Sequence, residues 1–255
     1  RELAALARTT EGWAAAVQLA GLSHQQPPGA SEGAGEFDHR AVLDYLADEV
    51  FASLAAPVQA FLLDTAVLER FCAPLCDALR GDRAELPAED LIAHVERANL
   101  FLVPLDAQRR WFRYHQLFLA FLRTRLRQSA PERMCVLHSR AARWFAGERL
   151  FHEAVGHALA AGDFGYAAEL IGSAAEQLVR QGEVLTLRGW LAALPAALVR
   201  ADADLSLWYA WALVLTQRRE QAEPWLARAE RHRYAHEPGD ERAPRLGQVA
   251  VVRAT

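Results

Sequence analysis

The chain has 255 residues, 52% apolar and 24% charged, with a formal net charge of −4. That composition excludes a disordered chain and suits one large or two ordinary domains. The small acidic excess excludes a basic surface spread over the whole molecule, the electrostatic footprint of nucleic-acid binding.

Residues 2–22 carry Leu3, Leu6, Trp13, Val17 and Leu19 at helical spacing, which predicts one helical segment over 1–24 interrupted at Gly12. Residues 25–36, rich in Gln, Pro and Gly, read as a linker or exposed loop. From Asp38, a candidate N-cap, the stripe Val42, Leu43, Leu46, Val50 and Leu54 predicts a helix. Pro57 suits the first turn of a second helix over 57–68. A third spans 73–79 and stops at Gly81, where a left-handed residue is tolerated; a fourth spans 89–99.

The period then changes. An apolar run at 100–105 and an aromatic run at 111–114 flank five polar residues, which predicts a β-hairpin, with Pro104 confining its first strand to an edge. A long helix follows over 115–128. Helices, one hairpin and a closing helix are the layout of a winged-helix domain, placed at 37–129, with 73–79 as its recognition helix. Residues 131–255 read as paired helices: 136–147 with 150–161, 164–180 with 183–194, and 205–217 with 219–233. Breaks fall at Gly147, Gly162-Asp163, Gly182, Pro195 and 202–204. Ala154 and Ala222 lie 68 positions apart, twice the ~34-residue period of tetratricopeptide-type repeats. Small alanines let helices approach, and Trp144, Trp190, Trp211 and Trp225 are expected to fill the gaps between pairs. The fold class is therefore mainly α: a winged helix with a small hairpin, then a TPR-like α-α superhelix. The opening in mid-helix pattern at Arg1 and the single Met at position 134 lead us to expect a piece of a longer chain.

The three cysteines, Cys72, Cys76 and Cys135, are an odd number and describe no disulfide framework, so a reducing compartment and a cytoplasmic location are expected. Neither a run of ~18 apolar residues nor a charged-then-apolar leader is present, so no membrane association is expected. Cys72 and Cys76 share a helix face but lack a second pair to complete a zinc site; they read as buried small hydrophobes.

His152-Glu153-x-x-x-His157 approaches the zinc-hydrolase signature. Its histidines are five apart rather than four, about 140° around a helix, so they do not converge on a metal; Glu153 and His157 can pair across one turn instead. Arg109, Arg110, Arg113, Arg123, Arg125 and Arg127 form the one basic concentration. Yet 73–79 holds no arginine, and direct base reading wants arginine, asparagine or glutamine on that helix. Arg123 and Arg127 read as the wet side of the closing helix. No phosphate-binding loop with its lysine occurs, since the chain has no lysine at all.

Seven phrases in order carry a family resemblance: RTTEGWAAAVQLA at 8–20, VLDYLADEV at 42–50, FLLDTAVLERF at 61–71, NLFLVPLD at 99–106, WFRYHQLF at 111–118, EAVGHALAAGD at 153–163 and PWLARAE at 224–230. Together they span most of the chain and resemble the MalT-like, LuxR-type transcriptional activators of the STAND class of signal-transduction ATPases. The resemblance implies an ATP- or ADP-binding domain before this segment and a DNA-binding helix-turn-helix after it. It implies a regulatory winged helix that closes over bound nucleotide, and repeats that sense an inducer. It implies self-association on activation, and no catalysis or nucleotide binding by this segment alone. Two nucleotide-facing sites carry over. Gly12 and Trp13 stand where the class has a turn near the base, and His115 stands at the place of a phosphate-sensing histidine. A histidine at a helix N-terminus can donate to phosphate beside free backbone amides. The rival reading is a free-standing helical-repeat scaffold for a partner protein, and a third, the metal hydrolase, rests on His152 and His157.

Overall fold

The computed structural model describes residues 51–81, 85–98 and 101–236. Gly12, Trp13 and the helix predicted over 2–22 lie outside these residues, as does most of the helix predicted from Asp38. Eleven helices and a two-stranded antiparallel sheet make up the described residues, so the fold is mainly α. The chain divides into two compact units, meeting between Leu137 and His138.

The first unit contains α1 (Ala56–Thr65), α2 (Ala73–Arg80), α3 (Ala88–Arg97), β1 (Leu102–Pro104), β2 (Phe112–Tyr114), α4 (Gln116–Ser129) and the start of α5 (Pro131–Gly147). Prolines in the first turn start α1 and α2, where a missing N–H costs nothing. Helix α1 stops three residues before the predicted 68. At its end Thr65 Oγ1 donates to Phe61 O at 2.8 Å and meets Tyr114 Oη at 2.6 Å. Gly81 ends α2 with φ 53°. Asp77 on α2 accepts from Ala88 N–H at 2.9 Å, so one helix caps the next. Helix α1 packs against α2, α3 and α4, and the contact surface is Phe61, Leu62, Leu75, Leu79, Val95, Phe118 and Leu122, all 3% exposed or less.

The hairpin pairs Leu102 with Tyr114, Val103 with Arg113 and Pro104 with Phe112. Pro104 is tolerated because Phe112 turns its polar groups the other way. Its N–H donates to Phe71 O and its carbonyl accepts from Phe71 N–H, both at 2.8 Å. Phe71 therefore adds a one-residue third strand that the sequence reading omitted. The order helix, short strand, helix, helix, wing makes α3 the helix directly before the wing. This corrects the assignment of 73–79, which is α2, as the recognition helix. An aromatic series fills the space under the wing: Phe71 to Tyr114 at 4.8 Å, Tyr114 to Phe118 at 5.8 Å and Phe101 to Phe118 at 4.4 Å between centroids.

The second unit runs from the later part of α5 through α6 (Phe151–Ala161), α7 (Phe164–Arg180), α8 (Val184–Ala193), α9 (Ala196–Ala201), α10 (Ala203–Leu215) and α11 (Arg219–His236). Short turns separate them at the predicted breaks. Gly162 and Gly182 hold φ of 73° and 78°, values that cost an L side chain steric strain. Asp163 and Asp202 cap α7 and α10 with their carboxylates. Helix α9 was not anticipated, and α5 begins at Pro131 rather than 136. Each of α6, α7 and α8 packs on a sequence neighbour, and both α7 and α8 also pack on α10. Ala154 and Ala222 are buried to 0% and 1% exposure, in keeping with close helix approach. Trp190 lies edge-on to His152 at 5.2 Å, and Trp211 and Trp225 pack against the α10–α11 core.

Candidate regulatory site

His115 is the N-cap of α4. Its main-chain N–H donates to Phe101 O at 2.8 Å, closing the base of the wing, and its carbonyl accepts from Leu119 N–H at 2.9 Å. The ring Nδ1 accepts from Leu117 N–H at 3.4 Å, and the residue is 5% exposed. The arrangement is thus an imidazole held at a helix N-terminus, where the helix dipole favours an anion. Of the three residues singled out for nucleotide, His115 is the one within the described residues; Gly12 and Trp13 lie outside them.

The outer face of α3 is acidic. Glu89, Asp90, His94 and Arg97 are exposed and Glu96 is half-buried. Glu96 is also ion-paired with Arg109 at the wing turn. A helix carrying three carboxylates faces unfavourable repulsion from phosphate backbones, which weighs against base reading by α3. The basic concentration is only partly engaged within the molecule, since Arg109, Arg110, Arg125 and Arg127 are exposed. Arg123 donates to Ala66 O at 3.0 Å and to Glu69 at 2.7 Å, which corrects its reading as part of a purely wet face; Arg127 reaches Thr124 at 3.2 Å. Arg113 reaches its neighbour Tyr114 O at 3.4 Å. In the wing turn Asp106 accepts from the amides of Arg110 and Trp111, at 2.9 and 3.0 Å. Those bonds, that of Arg110 first, hold its carboxyl below the usual range.

His152 and His157 have different partners. His152 Nε2 meets Glu183 Oε2 at 2.7 Å, whereas His157 Nδ1 meets His138 Nδ1 at 2.8 Å under a parallel Phe145 ring. Among the described residues no group of three His, Cys, Asp or Glu is placed to hold a metal ion. Cys72 and Cys76 are buried thiols, as expected of small hydrophobes, and Cys135 is exposed. Among the described residues no helix is long and apolar enough to cross a membrane.

Comparison with known proteins matches residues 47–134 to the family model described as the MalT winged helix domain. The chain is 36% identical over 235 residues to the serine/threonine-protein kinase PknK of Mycobacterium tuberculosis, covering 90% of this chain and 20% of that protein. It is 33% identical over 225 residues to the HTH-type transcriptional regulator MalT of Yersinia enterocolitica, and 32% over 224 residues to that of Yersinia pestis; each match covers 86% of this chain and 24% of the relative. The chain thus spans about a fifth to a quarter of the length of the curated relatives it matches. With the helix order, the Phe71 strand and the wing all in place over the matched residues, residues 47–134 form a winged helix domain of the MalT type.

Proposed function

We propose that this chain is the regulatory and sensing segment of a longer MalT-type transcriptional regulator, in which a signal bound by the helices after residue 138 controls a nucleotide-dependent closed state. The observation that carries the reading is a winged helix matching the MalT family whose wing-preceding helix presents acid to solvent. Such a module is suited to docking within a protein rather than to reading bases. His115 supplies the contact to nucleotide: its Nε2–H donates to a phosphate of ATP or ADP held by another domain, with Gly12 and Trp13 nearer the base. The segment itself catalyses nothing. Function is then a coupling free energy between signal and nucleotide state, with opening followed by self-association, and DNA is contacted through a helix-turn-helix elsewhere in the cytoplasmic regulator.

The kinase relative favours a second reading, in which the same segment regulates a catalytic domain of a longer chain. A full-length protein with a phosphate-binding loop before this segment and a helix-turn-helix after it supports the first reading; a kinase domain in their place supports the second. For His115, substitution by alanine in the full-length protein is expected to speed ADP release or give signal-independent activity. His115→Asn, which keeps a capping group but not the ring, separates loss of the helix cap from loss of the phosphate donor. If both variants retain ADP as the parent does, His115 is no sensor.

A further inference from the structure

We infer that the groove between α7 and the α9–α10 corner binds a small organic cation, a primary ammonium or guanidinium on a short apolar stem. The inference rests on the reading of these helices as the signal-receiving side and specifies the class of ligand. The groove has a volume of about 660 Å³, inside the range of about 300–1,000 Å³ usual for small-molecule sites. Helix α7 leaves it open by presenting Gly165, Ala168 and Gly172 on successive turns. A Cβ at Gly172 would meet just Leu205 Cδ2, at 3.9 Å, so close helix packing does not demand glycine there.

Charge selects the occupant. Glu169, Asp202 and Asp204 line the groove and no basic side chain does. An anion is disfavoured even though the N-terminus of α10 opens here. The amides of Asp204 and Leu205 are already bonded to Asp202 Oδ1, at 2.8 and 2.9 Å, so the positive helix end is answered by the protein's own carboxylate. A purely apolar ligand would strip water from carboxylates and give nothing back. Trp208, half-buried in the lining, completes the set. Its ring lies near-parallel to Trp211, 13° apart and 5.6 Å between centroids, which fixes the plane of an indole, the side chain whose face best attracts a cation.

The test is calorimetric titration of the whole chain with arginine amide and with its neutral isostere, citrulline amide. Arginine amide is expected to bind saturably and roughly tenfold or more tighter than citrulline amide, with the difference shrinking as salt is raised. Glu169→Gln and Asp204→Asn are each expected to weaken it by roughly 3- to 10-fold, with circular dichroism unchanged. Asp202 is left intact because it caps α10. Equal affinity for the two amides, no saturable heat up to about 10 mM, a Kd limit of only ~3 kcal/mol, or parent-like binding by both carboxamide variants would overturn the inference. None of those outcomes touches the proposed nucleotide coupling, which is read from ADP retention in the full-length protein.

Discussion

Tyr114 ties the wing to the first helix through one hydroxyl contact, 2.6 Å from Thr65 Oγ1, while its ring is 2% exposed. Thr65 also bonds to Phe61 O, so Tyr114→Phe leaves no orphaned group and should cost only about 1 kcal/mol at neutral pH. Alkali should reverse the ranking in part. Burial pushes the Tyr114 hydroxyl well above its ordinary value, against the lowering pull of Thr65. A group whose folded pKa is raised lends stability that is complete below the unfolded value near 10 and fades as pH climbs through the folded value. The phenylalanine variant, having no such proton to lose, should therefore lose less stability between about pH 9 and 11, as read by denaturant unfolding; parallel losses would refute this. The thiols offer a second test at this scale. Burial, above all, raises Cys76, with Cys72 adding to the effect, and Cys135 is exposed. Since the thiolate is the reactive form, a thiol reagent on the native chain should label Cys135 alone, and mass spectrometry locating label on Cys72 or Cys76 before unfolding would contradict the burial described.

Helix ends were legible where a residue type has a local mechanism. Gly162 and Gly182 at positive φ, Asp163 and Asp202 as caps, and Pro57 and Pro74 in first turns all mark boundaries that fall within a few residues of those expected. Elements without a period were invisible. Phe71 forms a strand one residue long, and α9 buries just Val199 along its six residues; neither gives an alternation to count. The His115 cap could be read from its place before an apolar run. The α7–α10 groove could not, because its walls lie some 40 positions apart and one of them consists of side chains that are small or absent. Two glycines separate local conformation from packing. Gly162 sits at φ 73°, whereas Gly156 lies within α6, and a Cβ at either meets nothing within 4 Å. Gly156→Ala should stabilise by up to about 1 kcal/mol through helix propensity, and Gly162→Ala should destabilise by about 1 kcal/mol through backbone strain. Thermal unfolding shifts of the same sign for the two would remove backbone conformation as the cause.

At the scale of the whole molecule, one part-buried ion pair ties the first turn of α5 to the winged-helix unit. The sequence reading closed that unit at 129, since Pro131 looks like a break. The family match runs to 134 and the compact unit to Leu137. Arg133, on the first turn of α5, explains the difference: its guanidinium lies 2.5 and 2.6 Å from the two carboxylate oxygens of Asp64 on α1, and Asp64 is 3% exposed. A buried carboxylate that loses a guanidinium costs up to about 3–5 kcal/mol, more than the intact pair contributes over an apolar substitute. Arg133→Ala in the whole chain should therefore lower the stability of the first unit by that order, while Asp64→Leu combined with Arg133→Met should recover most of the loss. Two shortened chains with a common start make the boundary itself testable. One that stops after residue 130 should be less stable than one that stops after 137, by about the same 3–5 kcal/mol in urea unfolding. Introducing Arg133→Ala into the longer of them should erase the difference. If the shorter chain is as stable as the longer, the pair is incidental and the winged helix ends where α4 does.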